Sequence, residues 1–168
     1  MKIRPARTTD VFRLVELLHD QHAASRYAGW VNVDDKHARS MLARAVQRHG
    51  GQFDGSTLVN VVEDAKEVIQ AFCVGALSRV YLIGDKLVAQ DIFLCAGAAA
   101  PKRVAMQLLS LYVDWAGSNP NVFEINLSHT DALPTGERMG PIYEHMGFTR
   151  CGAIYRRDAR PSDEREAA

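Results

Sequence analysis

Residues 86–116, KLVAQDIFLCAGAAAPKRVAMQLLSLYVDWA, contain a change of hydrophobic period from which the rest of the chain can be ordered. Leu87 to Leu94 is largely apolar and β-prone, interrupted at Gln90 and Asp91, as a buried strand would be. From Val104 the period changes, and Val104, Leu108, Leu111 and Trp115 recur at the i, i+4, i+7, i+11 spacing of a helix face. Between strand and helix, Gly97, Ala98, Ala99 and Ala100 let a ligand approach the backbone closely, and Pro101 suits a first helical turn. The N–H groups of that turn lack helical partners and sit beside Lys102 and Arg103, a suitable place for a phosphate or pyrophosphate.

Downstream, Gly117-Ser118-Asn119-Pro120 stops the helix and Val122 to Leu127 reads as a further strand, so strand, helix and strand form a right-handed parallel crossover. Upstream, Thr57 to Glu63 and Val68 to Val80 are strands joined at Asp64-Ala65-Lys66, and Ile83-Gly84-Asp85-Lys86 leads on to Leu87, which makes an antiparallel meander. Lys2 to Pro5 is extended. Thr8 or Thr9 with Asp10 caps a first helix carrying Val11, Leu14, Val15 and Leu18 on one face and ending near His22. A second helix spans about Val33 to His49, with Ala38, Met41, Leu42 and Ala45 inward. Past Ser128 comes a polar insert, residues 129–138, then a short helix with Met139, Ile142, Tyr143 and Met146 on one face, stopped by Gly147 before a last strand from Thr149 to Arg157. The expectation is an α/β (α+β) domain over residues 1–157, with a mixed, mainly antiparallel sheet of about six strands flanked by about four helices. Residues 158–168 are polar, without apolar period, and read as a disordered tail.

With 168 residues, 47% of them hydrophobic, the chain can bury one sizeable core and is short for two. Twenty basic and 20 acidic side chains give zero formal charge, so no global field draws it to nucleic acid or an anionic membrane. Cys73, Cys95 and Cys151 are odd in number and include no C-x-x-C pair, which argues against a disulfide framework or a zinc site and for small core residues. No leader pattern and no apolar run of about 18 residues is present, from which a cytoplasmic protein without a membrane span is expected.

Three stretches resemble the GNAT superfamily of N-acetyltransferases. Ile3-Arg4-Pro5-Ala6, followed by Thr-Thr-Asp and a helix, is similar to the opening of many GNAT domains. The run Pro141-Ile142-Tyr143-Glu144-His145-Met146-Gly147-Phe148 resembles the Leu-Tyr-x-x-x-Gly-Phe signature that ends them. Ala100 to Ala105 falls on the coenzyme-A motif Gln/Arg-x-x-Gly-x-Gly/Ala, but only Ala105 fits, and Arg103 stands in place of the first Gly. The divergence and the polar insert also resemble GNAT-related proteins carried by phages and prophages.

The resemblance implies acetyl-coenzyme A as cosubstrate and direct transfer of its acetyl group to an amine on a small molecule or protein. It puts the pyrophosphate at N–H groups from Ala99 to Ala105, among them Ala100, Val104 and Ala105, with help from Lys102 or Arg103. It puts the oxyanion donor in the backbone near Phe93, Leu94 and Cys95, and makes Tyr143 the proton donor to the leaving thiolate. The base stays open between Asp91, Glu124 and His129. Asp91 comes first, because an acidic residue inside a buried strand needs a reason, although pairing with an Arg or Lys would also supply one. Cys95 lacks the positioned His that a nucleophilic cysteine requires. Tyr27 and Trp30 are either acceptor contacts or lids over the core. Two alternatives remain: a catalytically degenerate module binding coenzyme A or a protein, favoured by the altered loop, and a nucleic-acid-modifying transferase using residues 129–138 with Lys102 and Arg103, against which the neutral charge speaks. The acceptor and the oligomeric state, monomer or homodimer, are left open.

Overall fold

Two short reversals fold residues 57–96 back on themselves as three antiparallel strands, β2 (Thr57–Glu63), β3 (Ile69–Arg79) and β4 (Leu87–Ala96). In the computed structural model, which describes residues 1–101, 103–134 and 136–157, the first reversal is fixed by Asp64, whose Oδ1 accepts the N–H groups of Lys66 (2.8 Å) and Val68 (3.0 Å). β1 (Lys2–Pro5) adds antiparallel to β2, and β5 (Val122–Asn126) adds parallel to β4, giving one sheet in the order β1-β2-β3-β4-β5.

Four helices accompany the sheet: α1 (Val11–Ala23), α2 (Asp35–Gln47), α3 (Arg103–Gly117) and α4 (Met139–His145). The Asp34 side chain caps α2 by accepting the His37 N–H at 2.9 Å, which sets its start two residues inside the expected span. Leu14, Leu17 and Leu42 of α1 and α2 pack on Val59, Val61, Phe72 and Val74 on one sheet face. On the other, α3 sets Tyr112 and Ala116 against Leu58, Leu77, Leu87 and Ala89, and sets Val104 and Leu108 against Val62, Ala71 and Cys73. Each such aliphatic side chain stabilises the fold by about 2 kcal/mol on burial. Arg4 of β1 ties the sheet edge to the start of α1, with Nη1 donating to Asp10 (2.7 Å) and Nε to Glu63 (2.7 Å).

The mixed α/β architecture with four helices agrees with the sequence, but the sheet has five strands. Residues Thr149 to Arg157 run exposed and pair with nothing in the sheet. The Arg156 guanidinium instead forks onto Asp131 of the insert, both contacts at 2.8 Å. Cys151 lies on the same segment and is exposed, whereas Cys73 and Cys95 are buried as expected. The expected tail, 158–168, lies outside the described residues.

Candidate active site

β3 and β4 stay in register from Arg79 opposite Leu87 to Gly75 opposite Asp91, then resume at Val74 opposite Phe93, leaving Ile92 as an extra residue. This bulge reverses the faces of β4. Leu87 and Ala89 look toward α3, as does Asp91 through its partner Gly75, where an added Cβ would meet Tyr112. Phe93 and Cys95 instead join the α1–α2 core. A regular strand would have put Asp91, Phe93 and Cys95 on one face.

The parallel pairing of β4 with β5 runs only from Leu87 to Gln90, against Val122 to Asn126. Past that point β4 continues to Ala96 while β5 ends, so the outer edge of β4 has no strand partner there, and the gap along that edge is the candidate cleft. The cleft opens at the end of β4 from which the chain passes, through Gly97, into the 15-residue α3.

Along that edge the Leu94 carbonyl accepts a hydrogen bond from Gln21 Nε2 of α1 at 3.1 Å. A strand residue sends its N–H and C=O to the same side, so the Leu94 N–H also looks into the cleft. Gln21 Oε1 accepts the Cys95 thiol at 2.6 Å, and burial pushes that thiol up to about 12, which leaves it inert as a nucleophile at neutral pH. Across the opening, Asp91 Oδ1 accepts both the N–H (2.9 Å) and the hydroxyl (3.0 Å) of Ser128. Burial raises the Asp91 carboxyl above the usual range, and the Ser128 bonds offset only part of the rise. Tyr143 of α4, 7% exposed, donates its hydroxyl to the Ser128 carbonyl at 3.1 Å. Its phenol is pushed up to about 12, first by burial and then by the charge of Asp91. Asp91 and Tyr143, far apart in sequence, thus meet on one residue.

Tyr112 of α3 donates to the Asn126 carbonyl at 2.9 Å and pins the end of β5. The His129 ring stands 6.0 Å from that of Tyr143. Glu124 is exposed and pairs with Val88, on the face turned from α3. Tyr27 and Trp30 are 42% and 56% exposed, and the Arg26 N–H donates to Ala132 at 2.9 Å, so their loop meets the insert and does not lid the core.

At the start of α3 the side chains of Ala100 and Val104 belong to the core. Their N–H groups are already bonded at 2.9 Å, Ala100 to the Gly97 carbonyl and Val104 to that of Pro101, which removes both as free donors. Arg103 is exposed, Ala105 is half-buried, and Lys102 lies outside the described residues. Gln21 and Ser128 join the site without having been singled out in the sequence. Among the described residues no helix is long and apolar enough to cross a membrane.

No protein-family model matches the chain, and no curated protein sequence does. Solved structures do resemble it. Glucosamine-6-phosphate N-acetyltransferase from Arabidopsis thaliana superposes with a TM-score of 0.66 at 13% identity, over 95% of this chain and 98% of that one. A predicted acetyltransferase of Clostridium acetobutylicum, determined with acetyl-CoA, gives 0.66 at 17% identity over 94% and 95%. A ribosomal-protein-alanine N-acetyltransferase from Brucella melitensis biovar Abortus gives 0.64 at 14% identity over 94% and 99%. The chain has the fold of the GNAT acetyltransferases.

Proposed function

We propose that the protein is an N-acyltransferase that moves the acetyl group of acetyl-coenzyme A to an amine by direct attack. The observation that carries this reading is the end of β4–β5 pairing at Gln90, just before the bulge, beyond which the outward-facing Leu94 main chain lies on the unpaired edge of β4 and Asp91 and Tyr143 meet on Ser128. The acetyltransferase neighbours support the reaction class, and the acceptors in their names, a sugar phosphate in one and a ribosomal-protein alanine in another, share no single chemistry.

The gap suits coenzyme A on its own geometry: a strand edge without a strand partner for an extended chain, and the exposed Ala98, Ala99 and Arg103 beyond it for phosphates. When bound, the cosubstrate supplies a thioester carbonyl as electrophile and a thiolate as leaving group. The Leu94 N–H donates to the carbonyl oxygen as it gains charge. The Ser128 hydroxyl accepts a proton from the attacking amine while giving its own to Asp91, whose raised basicity suits the task. Tyr143 turns from the Ser128 carbonyl to give its proton to the departing sulfur, and Phe93 and Cys95 hold the strand in place from the core side.

Calorimetric titration with coenzyme A, followed by release of free thiol from acetyl-coenzyme A over a panel of amines, tests the reading. Absence of binding overturns it. Binding without thiol release supports the binding-module alternative. Arg103→Ala should weaken coenzyme A by roughly 5- to 100-fold, the span of one charge-assisted hydrogen bond at a partly solvated site. Unchanged affinity would remove Arg103 from the site.

Asp91→Asn gives a pH signature. Activity needs the ionised carboxylate, so the parent rate should fall as pH drops through a pKa above the usual carboxylate range, the direction set by burial. The Asn variant should be slower and should lack that acidic limb. A kcat/KM profile in which both proteins share the limb would assign it to the acceptor.

A further inference from the structure

A cavity of about 300 Å³ lies on the α1–α2 face of the sheet, lined by Met41, Arg44, Arg48, Thr57, Val74 and Ile92 among others. Ile92 is the bulge residue, so this cavity reaches β4 just beyond the point where its pairing with β5 ends. The floor is apolar and the helix side is cationic. Arg44 and Arg48 stand one turn apart at the end of α2, and neither has an ion-pair partner among the described residues. Arg39, on the same helix, is neutralised by Asp35 at 3.0 Å. Like charges at i, i+4 repel, and although the negative end of the helix dipole eases that cost, it leaves the guanidinium donors unspent. The helix end is held firmly, because the Thr57 hydroxyl donates to the Ala45 carbonyl.

We propose that the acceptor amine carries an oxyanion, a phosphate or a carboxylate, which Arg44 and Arg48 bind while the amine points past Ile92 into the cleft. This rests on the acyl-transfer reading. Two guanidinium forks match the oxygens of either anion, and an apolar floor accommodates a short linker between anion and amine. The same charges disfavour polyamines and lysine-rich peptides, which would have to bring cations to unpaired arginines.

The test pairs amines that differ only in the anion: O-phosphoethanolamine against ethanolamine, and β-alanine against β-alaninamide. The parent should prefer an anionic member by about 10- to 100-fold in kcat/KM, and Arg44→Gln/Arg48→Gln should abolish the preference while coenzyme A affinity reports that the variant is folded. Preference in only one pair identifies the anion. Equal rates within both pairs, or a preference that survives the double substitution, overturn the proposal. Calorimetry with O-phosphoethanolamine and β-alanine decides the case in which no amine is acetylated. Binding of either probe that weakens at least about 10-fold in the variant keeps the anion site while the transferase reading fails, and no binding of either by the parent sinks the site as well.

Discussion

Tyr143→Phe should lower turnover by about 10- to 1,000-fold while leaving the denaturation midpoint nearly unchanged, the span expected for loss of one general acid. The ring is 7% exposed, and Phe keeps its packing; the one hydrogen bond lost, to the Ser128 carbonyl at 3.1 Å, ends on an acceptor at the cleft surface. Catalysis should suffer far more than folding, because a phenol pushed up to about 12 keeps its proton throughout the working pH range and is available to each thiolate formed. The defect should therefore appear in kcat, with coenzyme A affinity little affected. Parent-like turnover in the Phe variant would return Tyr143 to the core and remove the strongest single support for an enzyme.

Gly75→Ala is expected to cost about 3 kcal/mol, the upper part of the overpacking range. A Cβ at Gly75 would stand 2.4 Å from Tyr112 Cδ2 and 2.6 Å from Cε2. The Tyr112 ring cannot yield cheaply, being 2% exposed and tied by its hydroxyl to Asn126. Relief must come from moving α3 or the end of β5, and either distorts the cleft at the bulge. Urea denaturation should show the loss with an unchanged m-value, and a cost under about 0.5 kcal/mol would mean that α3 is held less rigidly than these contacts imply.

The elements that followed strict periods were legible. The apolar period from Val104 located α3, although its buried stripe runs through Val104, Leu108, Tyr112 and Ala116 and leaves Leu111 exposed, and the Asp64 turn located the β2–β3 hairpin. Ile92 was not legible as a bulge, because an extra apolar residue in an apolar strand changes no local pattern; its effect is visible only against β3, where it separates Asp91 from Phe93 and Cys95. Val104 shows the same limit from the other side. Its apolar period placed its side chain, yet the fate of its N–H depended on the turn at Pro101. Gln21 left a trace that could have been followed, since it continues the buried stripe of Leu14 and Leu18 at i+7 and a polar group on such a stripe needs a partner. Thr149 to Arg157 has strand-like residues, but pairing is a property of two edges, and no strand of the sheet takes this segment.

The short parallel seam between β4 and β5 also bears on the order in which the molecule assembles. β2, β3 and β4 meet through local reversals, whereas β5 can dock only after α3 has carried the chain across the sheet, a closure that costs more entropy before any contact repays it. Its ladder is brief, ending at Gln90 and Asn126, so β5 belongs to the last part to form and the first to loosen, with amide protons that exchange well ahead of those in β2 and β3. Fraying along that seam would widen the gap beside β4 while leaving the meander behind it intact.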